Sequence, residues 1–332
     1  MKNSTSVRSY LAQNLRHAAK LSACVGSAIA LSFTTTSQAF ASGFADFLFV
    51  VDESGSMSGE HTWLGNMITD LEAALQSKGL GTGSEGNRYG LVGFGGLSYA
   101  GAPFARTIDT DLSTPGIQQF ANSSLFGGAT SQLQASGGYE DGYEAIETGL
   151  GTYAFRQNAA VNVVLITDED RDYTNSGSNG FDFNSVLSAL TGKNALLNAV
   201  VNQNFTDGNG SRAIGADGDG NAFVADGSGG YVKSTGAQTG YGFGTTKADY
   251  VDLAWATGTG NITGAGWDLN LLRAGGTTAQ SFTAAFVDIK ATEALNQVQS
   301  QQPSQDVPEP GMLLGLMGLG LTGAGLRRSR RA

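Results

Sequence analysis

The sequence predicts an α/β fold: a doubly wound, mostly parallel sheet flanked by helices, with a Gly/Asp-rich hairpin insertion. Three observations carry this expectation. Short apolar runs recur at Phe47 to Val51 and at Val161 to Ile166, the second apolar on both faces, as a central parallel strand must be. Between such runs, apolar residues fall at helical spacing, as in Leu64, Met67, Ile68, Leu71 and Leu75. The alternation of the two patterns implies repeated β-α units, and so helices packed on a parallel sheet.

The elements follow in order. Phe47 to Val51 is a short buried strand, and the stripe from Leu64 to Leu75 is a helix. Tyr89 to Phe94 is a second strand and Phe104 to Ile108 a third, at an edge. Ile117 and Phe120 mark a short helix, and Tyr143, Ile146 and Leu150 a longer one. Val161 to Ile166 is the central strand. Phe183, Val186, Leu187 and Leu190 return to helical spacing before a strand at Leu196 to Val201. The rhythm fails from Thr206 to Thr246, rich in Gly, Asp, Asn and Ser, which is expected to be an inserted hairpin or long loop outside the core. A helix around Ala248 to Ala256, a strand around Trp267 to Leu271 and a helix carrying Phe282, Phe286, Ile289 and Leu295 complete a domain spanning residues 45–295. Residues 296–307, rich in Gln and Ser, are expected to be a linker. No internal repeat is evident.

The two ends differ in character from the middle. Residues 1–20 hold Lys2, Arg8, Arg16 and Lys20 and no acid. Leu21 to Phe33 is apolar or small, and Ala39-Phe40-Ala41 gives a small-x-small cleavage pattern. Residues 1–41 are therefore expected to be a secretory signal peptide, cleaved after Ala41. The one cysteine, Cys24, lies within it, so the exported chain is expected to have no disulfide. At the other end, Val307-Pro308-Glu309-Pro310 precedes an uncharged stretch, residues 311–326, and then Arg327, Arg328, Arg330 and Arg331. The 332-residue chain carries a formal charge of −10. Between the two ends it holds 28 acids and 11 bases, a net of −17. Such a surface repels nucleic acid and attracts divalent cations.

Asp52-Glu53-Ser54-Gly55-Ser56 carries the chemistry. Asp-x-Ser-x-Ser after a buried strand sets three oxygen side chains on one tight loop before a helix, and sheets of this kind bind ligands beyond the carboxyl ends of their strands. Hard cations take oxygen ligands, and Mg²⁺ takes them near-octahedrally. Thr167 and Asp168 follow the central strand in the same way. Asp217-Gly218-Asp219-Gly220-Asn221 begins like a calcium loop, but Ala222 and Ser228 stand where an EF-hand needs Gly and Glu, so a Gly-rich hairpin turn is the favoured expectation.

Asp52-x-Ser54-x-Ser56 resembles the metal-ion-dependent adhesion site (MIDAS) of von Willebrand factor A and integrin I-like domains. VNVVLITDEDRD resembles that family's strand and aspartate loop, which maps its acid onto Asp168, and GWDLNLLRAGG resembles its last strand. The resemblance implies that Ser54 and Ser56 bind a divalent cation directly, with Asp52 and Asp168 acting directly or through water. Mg²⁺ is the first expectation, with Ca²⁺ or Mn²⁺ as alternatives. The remaining loop could supply Thr130, after Gly127-Gly128-Ala129, or Glu140, before a helix, with the balance towards Glu140. No adjacent second metal site is expected. The open coordination position would accept a carboxylate from a protein or polysaccharide partner.

The C-terminal residues 308–332 resemble the PEP-CTERM sorting signal of Gram-negative bacteria, associated with exopolysaccharide and biofilms. That resemblance implies cutting by an exosortase and a transient stay in the inner membrane through residues 311–326. Helical, this segment would span roughly 24 Å, slightly short of a bilayer core. The expected function is a secreted or cell-surface adhesion module of the biofilm matrix. The alternative is a structural matrix protein whose metal only stabilises the fold. An enzyme is not expected: once His17 leaves with the signal peptide only His61 remains, and there is no G-x-S-x-G elbow.

Overall fold

The computed structural model describes residues 43–96, 105–172, 180–259 and 262–301. The first half runs β1 (Ala45–Asp52), α1 (Ser58–Ser77), β2 (Arg88–Phe94), β3 (Ala105–Thr107), α2 (Ser123–Ala129), α3 (Gly142–Thr152) and β4 (Ala160–Ile166). Then come α4 (Phe183–Gly192), β5 (Ala195–Val201), β6 (Gln203–Thr206), β7 (Arg212–Ala213), β8 (Gly215–Asp217), β9 (Asn221–Ala225), β10 (Tyr231–Thr235) and β11 (Gln238–Gly242). A π-turn at Lys247–Val251 leads into α5 (Asp252–Ala256). After it come β12 (Gly258–Thr259), β13 (Ile262–Thr263), β14 (Ala265–Asp268), α6 (Leu269–Arg273) and α7 (Gly276–Gln301).

Nine strands form the main sheet in the order β10-β9-β8-β14-β5-β4-β1-β2-β3. The five in the middle, from β14 to β2, run parallel. Period two divides β1 between two cores. Phe47, Phe49 and Val51 pack with α1, α2 and α7, while Leu48 and Val50 pack with α3, α4 and α5. This is the mostly parallel sheet flanked by helices that the sequence predicts, with β3 as an antiparallel edge on one side and β8, β9 and β10 pairing antiparallel on the other.

Four expectations need correction. No helix forms at Ile117 and Phe120. Asp109 and Asp111 accept backbone N–H groups of Gln118, Asp111 and Ser113, which folds that segment into turns and leaves Ile117 exposed. The helix comes later, as α2, once Asn122 accepts the Leu125 N–H as its N-cap. The strand expected at Trp267 to Leu271 stops at Asp268, whose carboxylate accepts the Asn270 N–H and starts α6. The expected linker begins too early, because α7 continues to Gln301. Gln297 is buried there, donating to the carbonyls of Val161 and Asn194, and Gln301 donates to that of Ala159. Its polar side chains dock on carbonyls near the starts of β4 and β5 rather than on solvent.

The fourth correction concerns residues 206–246. They do form hairpins, but β8 and β9 join the main sheet and its core, while β10 and β11 are largely exposed. β8 pairs antiparallel with β14, and β9 and β10 extend the same sheet. Phe223 is fully buried and stacks on Trp267 with ring centroids 5.3 Å apart. The stretch also contains a recurring turn motif. Asp207, Asp217 and Asp226 each open a D-G-x-G-x turn in which the Asp carboxylate accepts the backbone N–H of the third and fifth residues. The fourth residue is glycine with φ of +81°, +82° and +98° respectively, a left-handed conformation that other side chains resist.

Candidate metal centre

The parallel register between β1 and β4 sets Val51 opposite Ile166, so both strands release their oxygen-bearing loops at one level of the sheet. Asp52 Oδ1 accepts the Ser54 N–H at 2.7 Å, closing the loop, and Oδ2 accepts the Thr167 hydroxyl at 2.8 Å. Ser54 Oγ and Ser56 Oγ lie 3.2 Å apart, and Ser56 Oγ donates to Asp168 Oδ1 at 3.0 Å. Asp52, Ser54, Ser56 and Asp168 thus lie together at one end of the sheet.

Glu140 joins them from the loop before α3. Asp141 caps that helix by accepting the Tyr143 N–H, while the Glu140 backbone exchanges two hydrogen bonds with Asp172. This fixes the Glu140 side chain over the sheet edge. Carboxylate oxygens of Asp52, Glu140 and Asp168 all lie within 4.8 Å of one another, and all three residues are buried. Among the described residues this is the one such group. Gly95 makes the approach feasible. It sits at φ +81°, and a Cβ there would be 3.2 Å from both Asp52 Oδ1 and Glu140 Cγ.

Thr130 does not join the group. Its hydroxyl donates to the Gly127 carbonyl at 2.9 Å, and the residue packs against Gly65 of α1. The last carbonyls of α2 need donors, and the threonine supplies one. Of the two alternatives for the remaining loop, the geometry brings Glu140 to the cluster and leaves Thr130 outside it.

The electrostatics are those of an anion cage. Burial, then the Asp52 charge and a hydrogen bond to Asp52, push the Glu140 carboxyl up to about 9. Burial also raises Asp52, against the lowering effect of the Ser54 N–H and the Thr167 hydroxyl. Glu169 is raised by burial and by Asp168. Glu140 Oε2 is buried with no hydrogen-bond partner. Three carboxylates and two hydroxyls, all oxygen donors, with one buried oxygen unsatisfied, fit a hard divalent cation.

Sequence reasoning missed the surrounding groups. His61 Nε2 donates to the Asp52 carbonyl at 2.7 Å, which gives the one histidine outside the predicted signal peptide a structural task. Arg273, at the end of α6, reaches the site from far along the chain. Its Nη1 donates to Asp168 Oδ2 at 2.9 Å, its Nε to Glu60 Oε1 at 2.6 Å and its Nη2 to the Ser56 carbonyl at 3.1 Å. No local pattern marks either residue. Asp217, the other acidic candidate, has both carboxylate oxygens bonded to the Asn221 amide, as a hairpin turn requires.

Residues 306–331 match the PEP-CTERM protein-sorting motif. The motif marks an exported chain, sorted to the cell envelope and processed by an exosortase. No curated protein matches the sequence. Among solved structures, the chain is similar to proximal thread matrix protein 1 from the mussel byssus, at 17% identity and a TM-score of 0.33, covering 48% of this chain and 35% of that one. It is also similar to the pilus adhesin SpaC from Lactobacillus rhamnosus GG, at 15% identity and a TM-score of 0.34, covering 48% and 24%. A third is the von Willebrand factor type A protein from Catenulispora acidiphila, at 17% identity and a TM-score of 0.29, covering 48% and 33%. The chain thus spans about a third or less of the length of these structures. Among the described residues no helix is long and apolar enough to cross a membrane. The predicted span 311–326 and the signal peptide 1–41 lie outside the described residues.

Proposed function

We propose that the chain is a metal-dependent binding module of the cell surface or extracellular matrix of a Gram-negative bacterium. The ion is held by Asp52, Ser54, Ser56, Glu140 and Asp168, and its open position takes a carboxylate from a protein or exopolysaccharide of the biofilm matrix. Mg²⁺ is the first candidate because every donor is a hard oxygen, with Ca²⁺ and Mn²⁺ as alternatives. The observation that carries this reading is the buried triad of carboxylates with an unpartnered Glu140 oxygen, at the sheet edge where two parallel strands end together. A cation there offsets the repulsion between the acids, and it bridges the acidic surface of this chain to an acidic partner. Before cleavage, residues 311–326 hold the chain in the inner membrane.

The test is capture of matrix carboxylate polymers by the immobilised full chain, with Mg²⁺ or with EDTA, for the wild type and Asp52→Ala. Capture that needs Mg²⁺ and is lost in Asp52→Ala supports an adhesion module. Metal-dependent thermal stability with no metal-dependent capture would instead make the ion a purely structural element.

A further inference from the structure

The sheet-facing side of α7 holds a polar constellation that the metal centre does not use. Lys290 is fully buried there, and its Nζ contacts Glu293 Oε2 one turn along the helix. The same oxygen accepts the Asn198 Nδ2 donor, from the middle of β5, at 3.2 Å. Asn198 Oδ1 in turn accepts Trp267 Nε1 at 3.0 Å. Phe223, Phe282 and Phe286 enclose Trp267, with ring centroids 5.3, 5.9 and 5.2 Å from its own. A buried Lys–Glu pair is a poor source of stability, because desolvation commonly offsets the Coulombic gain. Here an amine, an acid and a primary amide share one oxygen inside an aromatic shell.

We infer that Lys290 and Asn198 become joined by an intramolecular amide bond, with Glu293 as the proton carrier. Lys290 passes a proton to Glu293, giving a neutral amine and a neutral acid. Burial favours those forms, since it pushes the Lys290 ammonium down and the Glu293 carboxyl up. The amine lone pair attacks Asn198 Cγ, and the Trp267 N–H holds the oxygen on which charge develops. Glu293 gives its proton to Nδ2 and takes one from the attacking nitrogen. The Cγ–Nδ2 bond breaks and ammonia leaves. One amine and one primary amide yield one secondary amide and one ammonia, with no oxidant, reductant or cofactor. Attack requires Lys290 Nζ to come within roughly 3–3.5 Å of Asn198 Cγ, and the Glu293 oxygen that both groups contact holds them side by side for it.

The bond would fasten the last helix before the sorting motif to a central strand. That is a covalent brace for a chain whose one cysteine, Cys24, lies in the predicted signal peptide.

Peptide mapping of the full chain tests the inference. Natively folded protein is denatured, digested with trypsin and weighed. The expected product is a branched peptide joining residues 194–212 to a segment that begins at Ala274 and is uncut after Lys290. Its mass is one ammonia below the sum of the two parts. Glu293→Gln and Lys290→Arg should each restore linear peptides. Recovery of residues 194–212 and 274–290 as separate peptides of full mass from folded wild-type protein overturns the inference. So does ammonia loss confined to 194–212, which is cyclisation of an asparagine alone.

Discussion

Asp52 and Glu140 illustrate how one ion can govern several protonation states at once. Without a cation, burial and the neighbouring charge hold the Glu140 carboxyl up to about 9, so this group carries a proton at neutral pH. A group raised in the folded state stabilises the fold below its ordinary value of 4.5, and that contribution is lost as pH climbs towards about 9. The metal-free protein should therefore melt at progressively lower temperature across that window, and saturating Mg²⁺ should flatten the decline. Binding must also expel the Glu140 proton, so the calorimetric heat at neutral pH should vary with the ionisation enthalpy of the buffer. Asp52→Ala should abolish Mg²⁺ and Mn²⁺ titration heats, whereas Thr130→Val should leave them unchanged because its hydroxyl serves α2. Undiminished heats in Asp52→Ala would put the ion elsewhere. Asp52, Ser54, Ser56 and Asp168 were legible in the sequence because an apolar strand ending in spaced oxygens is a local pattern. The helix after Glu140 tilted the choice towards it over Thr130, but what separates them is not local: the Thr130 hydroxyl is spent on the Gly127 carbonyl, and the Glu140 backbone docks on Asp172. Arg273 left no trace at all, because its partners come from the β1–α1 loop, α1 and the β4–α4 loop.

The strands of the parallel core could be read from their apolar runs, while β8 and β10 could not, and Ala222 to Ala225 of β9 read only as a β-like piece within a loop. They are three to five residues long and punctuated by glycine, and nothing local reveals that β14 lacks a partner until β8 fills its open edge. The D-G-x-G-x turns supply the missing regularity by fixing where each hairpin reverses. Deleting residues 206–246 should therefore abolish cooperative unfolding, whatever linker closes the gap. A deletion variant with a sharp urea transition would show that β14 tolerates an open edge. Phe223→Ala removes a ring stacked on Trp267 and should cost about 3–5 kcal/mol in urea denaturation. Asp217→Ala should loosen its turn without changing Mg²⁺ affinity, because its carboxylate bonds are spent on Asp219 and Asn221.

Across the molecule, the sorting motif at residues 306–331 predicts that mature protein lacks both the predicted signal peptide and the tail beyond Pro308-Glu309-Pro310. Mass spectrometry of surface-exposed protein that still carries Arg331 would contradict this. The docking of α7 adds a directional consequence. Gln297 and Gln301 lie against carbonyls near the starts of β4 and β5, while Asp52 and Asp168 lie at the finishing ends of β1 and β4. The parallel strands thus give the domain a base and a summit, separated by the rise of an eight-residue strand, about 25 Å. The last described residue, Gln301, lies at the base. A domain held from the base end turns its summit, with the cluster of Asp52, Glu140 and Asp168, away from whatever holds it.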